Sequence, residues 1–206
     1  MKKLCLFVAT ILFNIHLFAQ AGANFGIKAG LNIANLNIEN SNYNDFTTDS
    51  RIGFHTGLLA HVHLTPEWAL QPEVVYSQEG AKLKFNLSGQ DVEVKTKLDY
   101  INIPVAIQYM FHNGFRIEAV PQLGVMINSK YEDDDGTEDD ADDDFKSTNF
   151  SVGPGIGYLT YSGFGVGARY MFGISKIGEG SSDVRGNTFS LSLFYMLNSR
   201  HKAQSR

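Results

Sequence analysis

The chain has 206 residues, the length of one domain, and a net charge of -5 that conceals its distribution. Ten of the thirteen residues from Glu132 to Asp144 are acidic, so the rest of the chain carries -5 + 10 = +5. The single cysteine, Cys5, excludes a disulfide framework, and no run beyond the first twenty residues reaches the roughly 18 apolar residues of a membrane-spanning helix.

Residues 1–20 read as a secretory signal peptide. Lys2 and Lys3 give a positive start, Leu4 to Phe18 are mostly apolar, and the small residues Ala19, Ala21 and Ala23 follow, with cleavage expected near Ala19 or Ala21. Cys5 lies inside this segment, so the mature chain is expected to have no thiol chemistry.

Eight strand-like runs follow, at roughly 24–36, 51–64, 68–79, 97–111, 115–130, 147–161, 164–175 and 187–197. The second and third form the clearest pair. Ile52, Phe54, Thr56, Leu58, Ala60, Val62 and Leu64 share one face, opposite Arg51, Gly53, His55, Gly57, Leu59, His61 and His63. After Thr65-Pro66-Glu67, Trp68, Leu70, Pro72, Val74 and Tyr76 oppose Ala69, Gln71, Glu73, Val75 and Ser77. These strands outrun the roughly 5–6 residues of an ordinary strand and suit the roughly 9–11 that cross a membrane at a tilt. The alternation persists. Ile101, Ile103, Val105, Ile107, Tyr109 and Phe111 oppose Asn102, Ala106 and Gln108. Phe115, Ile117, Ala119, Leu123, Val125 and Ile127 oppose Arg116, Glu118, Gln122 and Asn128. Phe164, Val166, Ala168, Tyr170, Phe172 and Ile174 oppose Gly165, Gly167, Arg169 and Gly173. Phe189, Leu191, Leu193, Tyr195 and Leu197 oppose Thr188, Ser190, Ser192, Phe194 and Met196.

Connections alternate between long (roughly 37–50, 80–96, 131–146 and 176–186) and short, the latter carrying the turn pairs Asn113-Gly114 and Ser162-Gly163. Strands can span a bilayer only when closed, so the expected fold is all-β: an eight-stranded antiparallel up-and-down transmembrane β-barrel over residues 22–198, with a polar tail at 199–206. Its apolar rows would face lipid, and aromatics near strand ends would form interfacial girdles. A soluble barrel with these rows turned inward explains neither the glycines nor the mid-strand Arg and Glu of the opposite row. Glycines at 153, 155, 157, 165 and 167 would instead make room for Arg116 and Arg169 in a narrow lumen. Pro72, Pro104, Pro121 and Pro154 fall within strands of a barrel that has no edge, so the ladder should be interrupted there.

The segments GFHTGLLAHVHL, LQPEVVYSQEGA, LDYINIPVAIQYMF, VPQLGV and GPGIG, in this order and spacing, resemble the PorT-like "porin family" outer-membrane β-barrel domain. The resemblance covers nearly all of the mature chain. It implies an eight-stranded barrel in the outer membrane of a bacterial cell, and it implies no reaction.

Glu73, Arg116, Glu118 and Arg169 are expected to point inward as a structural charge network with at least one acid–base pair. His55, His61 and His63 share a face but spread too far along it for one metal site, so packing is the expected role. No nucleophile–base–acid motif, P-loop, dinucleotide fingerprint or nucleic-acid module stands out, and neither enzymatic activity, a cofactor nor nucleic-acid binding is expected. The acidic loop should be extended and disordered without a partner, with weak divalent-cation association as a hypothesis. The expected partners are outer-membrane lipid and the barrel-insertion machinery, the surface ligand is unknown, and the barrel should be a monomer. A structural or surface-interaction role is expected. The alternatives are a small outer-membrane enzyme with a rim site, or an accessory part or narrow conduit of a secretion or transport system.

Overall fold

The computed structural model describes residues 23–39, 46–87, 90–133, 136–141, 145–178 and 183–197. The expected signal segment and the polar tail lie outside the described residues. The strands are β1 (Asn24–Glu39), β2 (Phe46–His63), β3 (Trp68–Leu87), β4 (Gln90–Met110), β5 (Phe115–Glu132), β6 (Glu138–Asp140), β7 (Thr148–Leu159), β8 (Phe164–Gly173) and β9 (Asp183–Met196). All except β6 join one antiparallel ring, in which each strand pairs with its neighbours and β1 pairs with β9 from Gly26↔Met196 to Glu39↔Asp183. The ring therefore has eight strands and no edge, which is how a sheet satisfies every backbone group without water.

The apolar rows face outward. Leu31 is 58% exposed beside Asn32 at 2%, and Val74 is 49% exposed beside Glu73 at 2%. A soluble barrel would show the reverse. Val62, in the same row as Leu58 and Leu64, is buried. At the short-turn end Trp68, Tyr109, Phe111 and Phe115 make successive ring contacts, and Phe164 packs on Tyr195 at 4.6 Å, so the aromatics form part of a girdle. Gly114 and Gly163 close their turns at φ +89° and +91°, a conformation that costs glycine nothing. The prolines mark interruptions in the pairing. The β3–β4 register skips between Pro72↔Val105 and Val75↔Asn102, β4–β5 skips after Pro104↔Gln122, and β7–β8 skips between Val152↔Phe172 and Gly155↔Arg169, around Pro154.

Three expectations are corrected. First, residues 80–96 are not a long loop: β3 and β4 run on through Leu87 and Gln90 and stay paired throughout. The alternation Lys82, Lys84 and Val92, Val94 continues there, but its outer row is charged, which hides it from a search for apolar rows. Second, the β4–β5 register shifts between Asp99 and Tyr100, so Asn128 leaves the inner row and bonds Asp99 at 3.2 Å, while Ser129 is buried. A bulge of this kind reverses the side-chain alternation beyond it. Third, the described part of the acidic segment is not an extended free loop. Glu138–Asp140 pairs with β5, from Lys130↔Asp140 to Glu132↔Glu138, and Ala141 and Phe145 are buried.

Opposite charges hold that segment down. Lys95 reaches Glu132 at 2.8 Å, Lys97 pairs with both Glu132 and Glu138, and Lys130 reaches Glu138 at 2.7 Å. Further along, Lys84 pairs with Asp49 at 2.7 Å and Lys82 with Glu93 at 3.3 Å. This ladder lies beyond the outermost apolar residues of β4 and β5, Ile101 and Ile127. Hydrogen bonds from Lys95 and Lys97 hold the Glu132 carboxyl at about 2, and those from Lys130 and Lys97 hold Glu138 below the usual carboxylate range. Contact with Glu132 raises Lys97. A depressed acid contributes stability above its ordinary pKa of 4.5 and loses it as pH falls towards 2. A raised lysine contributes below 10.5 and loses its contribution above that. The β5–β6 docking should therefore be intact between about pH 5 and 10. Amides of residues 130–141, corrected for intrinsic exchange, should exchange faster at pH 3 than at pH 7, and faster in high salt. Unchanged protection at pH 3 would show that the ion pairs do not hold the segment.

Candidate functional site

The inner row of the ring supplies a polar middle between two apolar seals. At the long-connection end Leu36, Ala81, Leu98, Tyr100, Ala141, Phe145 and Ile177 pack together. Backbone bonds tie the connections that supply them, since Lys146 N donates to Ile177 O at 2.7 Å and Ile177 N to Val184 O at 2.9 Å. At the short-turn end Leu59, Phe194 and Met196 form a second cluster.

Between them Glu73 on β3 is the hub. Arg169 on β8, four strands away around a ring of eight, crosses the lumen and holds Glu73 in a fork, Nη1 to Oε2 at 2.9 Å and Nη2 to Oε1 at 2.7 Å. Its Nε donates to Glu118 Oε2 on β5 at 2.8 Å. Lys28 on β1 donates to Glu73 Oε2 at 2.9 Å, and Gln71 Nε2 to Glu73 Oε1 at 2.7 Å. The cluster holds two cations and two carboxylates, and the bidentate geometry is the strongest form such a pair takes. Gly155 makes it possible, because a Cβ there would lie 2.9 Å from Arg169 Cγ and 3.2 Å from Glu118 Oε2.

Arg116 also points inward but takes no carboxylate. It donates to Gln108 Oε1 at 3.4 Å and lies 5.3 Å over the Phe194 ring, while its Nε is without a partner. Gly157 clears its stem and Gly165 clears Phe194, whose ring atoms come within 2.1 Å of where a Cβ would stand.

Towards the long-connection end a third acid, Glu79, accepts from Ser77 Oγ at 2.9 Å, Asn102 Nδ2 at 2.8 Å and Thr188 Oγ1 at 3.2 Å. Beside it His55 meets Asn32 Oδ1 through Nδ1 at 2.8 Å and Ser192 Oγ through Nε2 at 2.9 Å. Asn32 Nδ2 donates to Ser77 Oγ at 2.9 Å and to the Gln78 carbonyl at 3.1 Å. A cavity of about 40 Å³, lined in part by Lys28, His55, Glu73, Glu79 and Arg169, lies within this region. It is polar and large enough for water. His61 sits apart, bonded to Gln71 at 3.3 Å with its ring 4.7 Å from that of exposed His63. Among the described residues no group of three His, Cys, Asp or Glu could hold a metal ion.

Residues 18–179 match the family described as outer membrane protein beta-barrel domain. The chain belongs to that family. It is thus a bacterial outer-membrane β-barrel, and its apolar rows face the lipid of that membrane. No curated protein matches it by sequence. Among solved structures it is similar to Ail, the attachment invasion locus protein of Yersinia pestis, with 15% identity and a TM-score of 0.54 over 84% of this chain and 97% of that one. It is likewise similar to Neisserial surface protein A, with 16% identity and a TM-score of 0.53 over 84% and 98%. At these identities the likeness is one of fold.

In this outer-membrane barrel all four residues expected in the charge network, Glu73, Arg116, Glu118 and Arg169, lie on the inner row. The structure joins three of them and leaves Arg116 outside. Sequence reasoning missed Lys28, although its neighbours Ile27 and Ala29 mark it as an inner-row position. It also missed the grouping of His55 with Asn32 and Ser192, because those strands are brought together only by ring closure.

Removing one partner of a buried cluster strands the others. Glu73→Gln leaves Lys28 and Arg169 facing only Glu118. It should cost about 3–5 kcal/mol in urea unfolding from lipid vesicles. Lys28→Met combined with Glu73→Gln restores one charge of each sign, so the double variant should be more stable than Glu73→Gln alone. A double variant that is less stable would contradict the assignment of Glu73 as the hub.

Proposed function

We propose that this barrel works at the cell surface as a structural and interaction protein. The observation that carries this reading is the continuation of β2, β3, β4 and β5 beyond the lipid-facing rows as a charged sheet, with apolar residues folded over the barrel mouth. A conduit would need a continuous water path, and the Glu73–Arg169–Glu118 cluster crosses the lumen where that path would run. The enzyme with a rim site finds less support, because the described polar groups of interest lie in the lumen rather than at the rim. Within its family the chain is placed with the PorT-like group on the strength of its ordered segments. It is read as a monomer delivered by the barrel-insertion machinery.

The acidic segment is the part of this surface with charge to spare. Of its ten carboxylates, Glu132 and Glu138 are neutralised by lysines, which leaves eight. Divalent cations would relieve their mutual repulsion, so weak Ca²⁺ or Mg²⁺ association at the outer face belongs to the proposal. A variant with residues 132–144 replaced by a two-residue turn tests it. The variant should insert and keep heat-modifiable mobility on a gel, while calorimetric titration with Ca²⁺ in detergent should lose most of its heat. Equal heats in the two proteins would reduce the segment to plain solvated surface. Failure to insert would make it part of the barrel's own stability.

A further inference from the structure

We propose that Ser192, His55 and Asn32 form a nucleophilic serine site inside the lumen, which accepts the acyl group of a small ester. The three residues come from β9, β2 and β1, adjacent in the closed ring, and each bond has a defined direction. Asn32 spends its amide hydrogens on Ser77 Oγ at 2.9 Å and on the Gln78 carbonyl at 3.1 Å. Its Oδ1 is therefore the atom turned to His55 Nδ1 at 2.8 Å, and an acceptor there requires Nδ1 to carry the proton. That leaves the lone pair on Nε2, which faces Ser192 Oγ at 2.9 Å. The serine hydroxyl consequently donates to the imidazole, the arrangement in which a base can take its proton.

The surroundings are shaped for this contact. The His55 ring reaches Ser192 by passing over Gly30, where a Cβ would lie 2.7 Å from Cε1 and 2.8 Å from Nε2. Gly30 and Gly167 are the ladder partners of Ser192 on its two sides, so no side chain flanks the hydroxyl on either neighbouring strand. His55 also lines the cavity of about 40 Å³, which limits a reactant to a short acyl group, and Lys28 lines the same cavity as a positive group for a developing oxyanion. In the reaction Ser192 Oγ bonds to the carbonyl carbon as the ester C–O bond breaks, and the proton taken by His55 Nε2 passes to the leaving alcohol. Water then attacks the acyl-serine, giving its proton to His55, and the carboxylic acid departs as Oγ is reprotonated. Asn32 is a positioning residue.

Methanesulfonyl fluoride, a small electrophile, tests the site in the refolded full barrel. Sulfonylation forms the Oγ–S bond, expels fluoride from sulfur and releases the hydroxyl proton through His55. Peptide mapping should place the label on Ser192 on the order of 10²-fold faster than on the neighbouring inner-row Ser190, the usual gain from a positioned base. Ser190→Ala should label as the wild type does, and His55→Gln should fall to the rate of Ser190 while keeping heat-modifiable mobility. Equal rates at Ser192 and Ser190 in the wild type would overturn the proposal, whether or not the His55 variant folds. So would unchanged labelling in a folded His55→Gln barrel.

Discussion

The Glu73–Arg169 fork is the interaction on which the rest of the structure depends. An eight-stranded ring is too narrow to hold bulk water and must be filled by side chains. Because its outside is given to lipid, whatever polarity the chain carries in its strands must be satisfied inside. A single arginine long enough to cross from β8 to β3, and forked enough to take Glu73 with two bonds and Glu118 with a third, ties opposite walls together. Lys28 then completes a neutral cluster. Without it the lumen would hold buried charges with no counter-charge, which is far costlier than an apolar filling.

Other features follow from accommodating that cluster. Gly155 and Gly157 are small because Arg169 and Arg116 pass beside them, and Gly165 because Phe194 does. The neutral polar network above the cluster runs from Ser192 through His55, Asn32 and Ser77 to Glu79, each group satisfying the next. The apolar seals at either end keep solvent from competing with these bonds. The outer ion-pair ladder works differently. It lies in water, is screened by salt, and serves to fasten the β5–β6 hairpin rather than to hold the barrel.

The ring of eight, the outward apolar rows and the inward Glu and Arg were legible in the sequence because alternation of period two is a local signal. The prolines were legible too, since each removes one ladder donor and the pairing breaks beside them. What was not legible had one of two causes. Lys82, Lys84, Lys95 and Lys97 continue their strands with a charged outer row, so a rule tuned to lipid-facing residues ends those strands too early. The pairing of Ser192 with His55, or of Lys28 with Glu73, depends on which strands become neighbours and on the stagger between them, and no single strand records either. The bulge beside Tyr100 shows the same limit, since one register shift moved Asn128 to the outer face.

The central claim is that a cross-lumen ion cluster and two apolar seals fill this barrel and leave no open path. Current through the purified protein in a planar lipid bilayer tests this most directly. The account predicts a conductance indistinguishable from that of the bare bilayer at neutral pH, with occasional current only in a barrel whose Glu73–Arg169 fork has been removed. A steady open-channel current through the intact protein would contradict it.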